Sequence, residues 1–320
     1  MIADQKLESQ DVTIGEMVAL ISKRFPGVSH SSLRFLEREG LILPDRSSGG
    51  HRLYHQNDAQ RVLLIKTWQQ EGLSLDVVKQ RLIGLDTIPA TDALSASFLN
   101  FVMSGDLSEA VSLILQADEI GLAPASLFGE VIAPALNQVG VLWSTGLLPI
   151  AQEKALSELV RDLIAEIGIR HAPRQPKGPV AVAACVEHER HELGLRMICG
   201  LLRMDGWRVF YLGADVAPAY VLEAAALRNP AFLLLSSRMA VSRESVKRTI
   251  EQLRRSELLH RESCIVVGGE NALHQHDDIM SCGAIPIPSS NLAEILTWTR
   301  QLSTTQDKPQ SQLAPSLIRK

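Results

Sequence analysis

The C-terminal half of the chain alternates short apolar runs with longer amphipathic segments, and this alternation strongly constrains the fold. Strand-sized apolar runs lie at 180–186, 208–212, 232–236, 265–267 and 284–287. Helical patterns lie near 192–205, 218–228, 243–256, 275–282 and 290–302. Strands that are apolar throughout and alternate with helices are typical of a parallel sheet covered on both faces. We therefore predict a doubly wound, Rossmann-like α/β domain over residues 178–302.

The stretch before this domain is helical. Helical patterns cover 91–103, a segment that opens at Asp106, 124–143 and 149–171. Four helices joined by short loops are typical of an up-and-down bundle, which we predict over residues 91–172. The segment PRQPKG is predicted to be a linker because of its Pro and Lys content. Residues 303–320 are polar, and we expect a disordered tail there.

The N-terminal part combines short helical patterns with one hairpin. Ile14, Met17 and Ile21 share a helix face, and Ser29 is placed to cap a second helix. The segment DRSSGGHRLYH has the Gly-Gly turn of a hairpin, and two further helical patterns follow it. The order helix, turn, helix, hairpin and two helices is that of a winged helix-turn-helix. We predict this module over residues 12–84.

The second helix of this module carries long polar side chains on its exposed face. A helix that enters the major groove of DNA needs such donors, because base edges there present acceptors. The predicted contacts of this helix are Ser31, Arg34, Phe35 and Arg38. The hairpin adds side chains suited to backbone phosphates, namely Arg46, His51, Arg52 and Tyr54. The alternative for Arg34 and Arg38 is an ordinary solvated face, on which they pair with Glu37 and Glu39.

Charge is unevenly distributed along the chain. The net charge is −4, yet residues 23–81 contain ten Lys and Arg against six Asp and Glu. A basic first module indicates an anionic partner at that end. The four cysteines form no CxxC pair, which favours free thiols in a reducing cytoplasm. The N-terminus is polar and no apolar run approaches the roughly 18 residues of a membrane span, so we predict a cytoplasmic protein without a membrane partner.

The segment EHERHELG places five Glu and His among eight residues directly after the first predicted strand. Zinc proteases need two His four residues apart, whereas these two are three apart and no third ligand follows nearby. A polar helix start, which Glu192 suits, is a second alternative. Parallel sheets bind ligands outside the carboxyl ends of their strands, and this favours a ligand-binding loop. Glu189 is then placed to accept a hydrogen bond from His191, and Gly194 lets a large group approach the backbone.

The N-terminal module closely resembles the MerR-type DNA-binding domain. The resemblance covers residues 12–75 and includes the blocks LRFLEREGL, HRLY and EGLSL. The turn SKRFPGV is longer than the family's usual link between its first two helices, which changes the loop geometry. The resemblance implies binding to double-stranded operator DNA by a homo-oligomer, a dimer or a tetramer.

The sequence Glu189-Arg-His191-Glu-Leu-Gly194 resembles the cobalamin-binding motif Asp/Glu-x-His-x-x-Gly. In that family the His replaces the cofactor's own base beneath cobalt, and the base and its tail are buried in the domain. The resemblance implies that His191 binds the cobalt of cobalamin and that Glu189 orients it. Ser236 matches the Ser that meets the buried base, and Gly268-Gly269 matches the Gly-Gly pair that lets the nucleotide tail pass.

The helical bundle is similar to the cap domain of the light-sensing cobalamin repressors, the CarH/LitR family. Trp143 and Glu153 follow the family's Trp-x9-Glu pattern, in which both residues pack around the adenosyl group. The alternative for Trp143 is an ordinary core aromatic. CarH-like photoreceptors carry His where this chain has Lys154, and the best-known members also where it has Ser144; neither side chain is a good cobalt ligand near neutral pH. Arg238 replaces an apolar residue near the buried base, where a charge is costly unless paired or turned outward.

The resemblance implies a DNA-binding transcriptional regulator, expected to be a repressor, whose operator binding is controlled by adenosylcobalamin, with light or cofactor level as the input. One alternative is a cobalamin-independent regulator or antagonist that uses its C-terminal domains for oligomerisation or protein binding, which Lys154 and Arg238 favour. A corrinoid methyl-transfer protein is a third hypothesis, but a DNA-binding head has no place in that chemistry. No residue suggests a catalytic nucleophile or base, and we predict that the protein is not an enzyme.

Overall fold

The computed structural model describes residues 11–47, 49–70, 72–87, 89–256, 263–287, 289 and 291–305. The chain divides into two units, Met1–Ile88 and Pro89–Lys320. The helical bundle and the sheet both lie in the second unit. The last helix continues to Thr305, so the tail that we predicted from residue 303 does not begin there, and residues 306–320 lie outside the described part of the chain.

The described part of the first unit has the predicted winged helix-turn-helix order. Its elements are α1 (Ile14–Ser22), α2 (His30–Arg38), β1 (Asp45–Arg46), β2 (Arg52–Leu53), α3 (Gln56–Gln70) and α4 (Leu75–Thr87). Thr13 and Ser29 cap α1 and α2, because the hydroxyl of each accepts the backbone N–H three residues later. Met17, Leu33 and Ile65 are fully buried and belong to one apolar core.

The second unit begins with the predicted helical bundle. Its elements are α5 (Thr91–Ser104), α6 (Leu107–Ile120), α7 (Pro124–Ser126), α8 (Ala133–Ser144) and α9 (Ile150–His171). The third segment is not one regular helix, because Leu127–Ile132 forms a π-helix between α7 and α8. Phe128 and Val131 in this wide turn are fully buried, so the irregular turn faces the core of the unit.

The helical run Pro124–Ser144 has 21 residues and a mean hydropathy of 1.3 in its most apolar stretch. Among the described residues it alone is long and apolar enough to cross a membrane by length and composition. The sequence prediction overlooked it because Gly, Pro, Asn and Gln interrupt the apolar residues. A single such helix is weak evidence for a membrane span, since the core helix of a bundle passes the same test.

A five-stranded sheet follows the linker, in the order β4-β3-β5-β6-β7. The strands are β3 (Val180–Cys185), β4 (Arg208–Tyr211), β5 (Phe232–Ser236), β6 (Cys264–Gly268) and β7 (Ile285–Pro286). Every neighbouring pair is parallel, as the apolar strands predicted. The helices are α10 (Leu193–Met204), α11 (Pro218–Arg228), α12 (Arg243–Arg255), α13 (Glu270–His274), α14 (His276–Ser281) and α15 (Leu292–Thr305). The helix predicted over 275–282 corresponds to α14, and the short helix α13 before it was not predicted.

The strand order leaves a crevice at one edge of the sheet. β3 lies between β4 and β5, so the connections that leave the carboxyl ends of β3 and β5 diverge to opposite faces of the sheet. Ligands of doubly wound proteins bind outside this point of divergence. The segment EHERHELG begins directly beyond β3, at the crevice. The bundle packs beside it, because α9 contacts α10, the helix that follows the segment.

Candidate functional site

The loop after β3 is held by the loop after β4. The backbone N–H of His188 donates to the Asp215 carboxylate at 2.7 Å, and the N–H of Asp215 donates to the carbonyl of Glu189 at 2.8 Å. His188 and Asp215 both have positive φ, at 68° and 56°, a region that non-glycine residues rarely adopt. The loop is therefore fixed by reciprocal hydrogen bonds before any ligand arrives.

Glu189 lies at the centre of this loop and is completely buried. Its Oε1 accepts the backbone N–H and the Nδ1–H of His191, both at 2.8 Å. Its Oε2 accepts the N–H groups of Arg238 and Met239, at 2.6 and 2.7 Å, and the Ser242 hydroxyl at 3.1 Å. Burial favours the neutral acid, but the hydrogen bonds from His191, Met239 and Arg238 outweigh it and lower the pKa of Glu189 to about 2.

The bond to Glu189 determines which nitrogen of His191 can bind a metal. An ionised carboxylate only accepts, so Nδ1 carries the hydrogen, and in the neutral imidazole the lone pair then lies on Nε2. The His191 side chain is 51% exposed, so the ring remains accessible from the crevice. A carboxylate that orients a ligating imidazole also raises its basicity. The two residues fit the lower face of a cobalamin.

The space at the start of α10 is open. A Cβ built at Gly194 would meet no atom within 4 Å, and the predicted approach of a large group to this residue stays a prediction. Among the described residues, no group of three or more His, Cys, Asp and Glu side chains is placed to hold a metal ion. The zinc alternative therefore lacks a donor set. A single imidazole is enough for a metal that arrives already held by a macrocycle.

The strand ends bring three other predicted cofactor residues, Ser236, Gly268 and Gly269, beside this loop. Ser236 pairs with Cys185 on one side and with Gly268 on the other, so the carboxyl ends of β3, β5 and β6 lie in one row. Ser236 is 9% exposed. Gly269 has a φ of 91°, and a Cβ there would lie 2.4 Å from the carbonyl oxygen of Ser237. The tight turn against Ser237 thus already requires a glycine at this position.

The two glycines should respond differently to substitution. Gly269→Ala is expected to lower the free energy of unfolding by about 2 kcal/mol or more, because the methyl group would collide with backbone at a positive φ. Gly268→Ala is the matched control, since a Cβ there would lie 3.4 Å from the Ile287 side chain. Urea unfolding of both variants measures the difference. Equal losses would contradict the assignment of strain to Gly269.

Sequence reasoning missed a buried polar network beneath Glu189. Ser242 bonds to the Ser237 hydroxyl at 2.7 Å, and Asn271 donates to Ser237 at 2.8 Å and to the Met239 carbonyl at 2.7 Å. All three side chains are buried. They fix the turn that presents the N–H groups of Arg238 and Met239 to Glu189. No motif marked them, although the polar Ser236-Ser237 pair at the end of an apolar strand was a signal that could have been followed.

The charged group of Arg238 does not lie in the buried site. Its side chain is 53% exposed, and its Nε lies 3.7 Å from the Glu270 carboxylate. Only the backbone of Arg238 faces inward, where its N–H donates to Glu189. The Arg238 side chain is both turned outward and paired. The free-energy cost of a buried charge, which the sequence suggested for cofactor binding, therefore does not arise from it.

The bundle presents an apolar surface where α8 ends and α9 begins. Trp143 is 48% exposed and is therefore not the core aromatic that the alternative required. Val141, Leu147 and Ile150 on the same stretch are exposed as well. The Glu153 Oε1 accepts the Ser157 hydroxyl at 2.9 Å, and its Oε2 lies 3.2 Å from the Lys154 ammonium. The Ser144 hydroxyl donates to the Val141 carbonyl at 2.9 Å.

The predicted DNA contacts of α2 share one solvent-facing surface. Ser31, Arg34, Phe35 and Arg38 are all exposed, and together with Ser29 and His30 they line an open concavity. The Arg38 guanidinium lies 5.3 Å from the centre of the Phe35 ring. The alternative pairing with Glu37 and Glu39 is absent for Arg34 and Arg38, because in the described part of the chain those carboxylates bind Arg52 and Lys79.

The hairpin matches the prediction only in part. His51 is exposed, and Arg46 is exposed with a weak contact of 3.5 Å to Glu37. The Nε of Arg52 lies 2.5 Å from the Glu37 carboxylate, which ties the hairpin to α2. Tyr54 was predicted to contact phosphate, but it is fully buried in the apolar core. The strand bonds that pair Tyr54 with Val12 turn its side chain inward, so a solvent-facing role is not supported.

Comparisons with known proteins agree with both halves of this arrangement. Residues 21–84 match a family model for MerR HTH family regulatory proteins, and residues 94–167 and 179–285 match two B12 binding domain models. The HTH-type transcriptional repressor CarH of Myxococcus xanthus is 30% identical over 268 residues, which span 79% of this chain and 88% of CarH. The repressor CarA of the same organism is 28% identical over 296 residues, which span 89% of this chain and 97% of CarA.

Among solved structures, the monomethylamine corrinoid protein of Methanosarcina barkeri superposes with a TM-score of 0.57 at 18% identity. The superposition covers 67% of this chain and 100% of that protein, and it establishes a shared fold. The corrinoid protein leaves a third of this chain unmatched, whereas the two repressors match the chain along most of its length. The chain belongs to the MerR-type transcriptional regulators with B12 binding domains, the family of the repressor CarH.

Proposed function

We propose that this regulator is a cytoplasmic repressor that binds operator DNA as a homo-oligomer and is controlled by adenosylcobalamin. The observation that carries the proposal is the buried Glu189 carboxylate, which orients an accessible imidazole at the crevice of the sheet. His191 would hold the cobalt from below. The exposed apolar surface around Trp143 would cover the adenosyl group, and Ser236 with Gly268-Gly269 would line the path of the nucleotide tail.

Adenosylcobalamin supplies a cobalt–carbon bond that light can break. This chain offers no second imidazole at the two cap positions where the resembling photoreceptors use histidine, because Ser144 and Lys154 stand there. The Lys154 ammonium is paired with Glu153, and a protonated amine has no lone pair for cobalt. We therefore propose cofactor occupancy as the primary signal and expect no photoproduct with a histidine on each face of the cobalt.

The second candidate function, a cobalamin-independent regulator, rested on Lys154 and Arg238. The outward side chain of Arg238 removes the stronger of these two objections to cofactor binding. Lys154, at a cap position, would affect the response to light, but it would not affect His191, the proposed lower ligand of the cobalt. The cobalamin-dependent regulator is therefore the better supported function.

Operator binding tests the proposal. In the dark, adenosylcobalamin is expected to change the affinity of the full chain by about 10-fold or more for a duplex that the protein selects from a random-sequence library. Fluorescence anisotropy with and without the cofactor measures this ratio. Arg34→Ala is expected to weaken binding of both forms by roughly 10-fold, whereas Arg255→Ala in the second unit is expected to leave it unchanged. Equal operator affinities without cofactor and with saturating cofactor would contradict the proposal.

A further inference from the structure

Glu192 follows the predicted cobalt ligand directly and stands immediately before α10. Its side chain is 9% exposed, and its two oxygens have different partners. Oε1 accepts from the Nε of Arg161, on α9 of the bundle, at 2.5 Å. Oε2 accepts from the hydroxyl of Tyr211, at the end of β4, at 2.6 Å. One carboxylate thus joins the bundle, the sheet and the ligand loop.

The partners of Glu192 hold its carboxylate in one orientation. Burial raises the pKa of Glu192, and the hydrogen bonds from Tyr211 and Arg161 lower it below its usual value. The Arg196 Nε lies 3.5 Å from Oε2, and its guanidinium lies 5.0 Å from the centre of the Tyr211 ring. Burial and the bond to Glu192 raise the pKa of Tyr211, so its hydroxyl keeps the proton that it donates.

The surrounding contact between the bundle and the sheet domain is apolar and therefore less directional. On α10, a Cβ built at Gly200 would lie at ordinary van der Waals distance from two apolar side chains of the bundle, 3.6 Å from Ile164 and 3.7 Å from Phe128, so the bundle packs on this face of the helix. Apolar surfaces of this kind tolerate small sliding movements, whereas short charge-assisted hydrogen bonds require a defined geometry. The Arg161–Glu192 pair is therefore the contact through which a shift of α9 would reach the residue next to His191.

We propose that Glu192 is a positioning residue that couples the His191 loop to the helical bundle. A movement of α9 displaces the Glu192 carboxylate. The displacement reaches His191, the predicted ligand, through the peptide bond that joins the two residues. The opposite direction holds as well, because coupling between two sites is reciprocal. The proposal deepens the proposed function, on which it rests for the role of His191, and adds a physical link between the cap and the lower ligand.

Hydrogen exchange on the full chain without cofactor tests the coupling. Arg161→Met removes the donor on the bundle and keeps a stem of similar length. Arg170→Met is the matched control, because Arg170 lies on the same helix but pairs with Asp118, Glu119 and Glu166, all within the bundle. In Arg161→Met, the amides of residues 187–195 are expected to exchange roughly 10-fold faster, and Arg161→Lys is expected to restore much of the protection.

Two results distinguish this proposal from the function on which it rests. If the amides of residues 187–195 exchange at the same rate in Arg161→Met and Arg170→Met, Glu192 does not couple the loop to the bundle. This conclusion does not depend on the behaviour of the cofactor. If the coupling holds, the ratio of operator affinities with and without adenosylcobalamin should fall in Arg161→Met and persist in Arg170→Met. A wild-type ratio of one would overturn the proposed function, while the exchange data alone would still decide the role of Glu192.

Discussion

Replacing Glu189 with glutamine is expected to lower the free energy of unfolding by about 3 kcal/mol near neutral pH. The buried carboxylate accepts five hydrogen bonds, two from His191 and one each from Arg238, Met239 and Ser242. Glutamine keeps the shape but offers a single acceptor oxygen, and its amide hydrogens would face donors. The variant therefore leaves backbone N–H groups buried and without acceptors, which is a large cost.

The pH dependence of this loss identifies its cause. The pKa of Glu189 falls from 4.5, its ordinary value, to about 2 in the folded chain. A lowered folded pKa means that the stabilisation is fully present above 4.5 and is lost as the pH falls towards 2. Urea unfolding of the wild type and Glu189→Gln at pH 7 and pH 3 should therefore give a smaller difference at the lower pH.

A matched substitution checks that the effect belongs to the buried site. Glu223 lies on α11 with an exposed side chain, and Glu223→Gln is expected to change stability little at either pH. If Glu189→Gln cost the same at every pH, the loss would come from packing, and the ionised carboxylate would not be the organising group of the loop.

The sheet could be predicted from sequence because its signal is local. Apolar strands such as 232–236, followed by helical segments, specify a parallel sheet, and a loop at a strand end specifies a ligand edge. The pair of Glu189 and His191 was within reach for the same reason, since the two residues are separated by a single position.

The supporting contacts could not be predicted because they join distant segments. Ser242 lies 53 residues after Glu189, and Arg161 lies 31 residues before Glu192. Neither contact leaves a periodic pattern in the sequence, because both depend on how strand ends and the bundle meet. The prediction for Tyr54 was wrong for a different reason. Its polar neighbours in the hairpin suggested an exposed side chain, whereas the backbone pairing with Val12 turns the ring into the core.

Loss of the imidazole at residue 191 is the substitution with the largest expected effect on the cofactor. His191→Ala is expected to weaken binding of adenosylcobalamin by on the order of 100-fold and to change the visible spectrum of whatever remains bound, because the cobalt would lose its proposed lower nitrogen ligand. Glu189 holds Nδ1 at 2.8 Å, so the geometry of Nε2 is set before binding. Spectra recorded after desalting, in the dark, measure both retention and ligation.

The neighbouring imidazole supplies the control for that assignment. His188 lies three residues earlier in the same loop, and asparagine tolerates its φ of 68°. His188→Asn should retain the cofactor and the wild-type spectrum, whereas Glu189→Gln should weaken binding by about 10-fold, because it disturbs the orientation of His191 without removing the ligand. That graded order, with His191→Ala the most severe, is what an oriented ligand requires. A spectrum unchanged by His191→Ala would mean that the cobalt is held by another group, and that the buried carboxylate serves the loop alone.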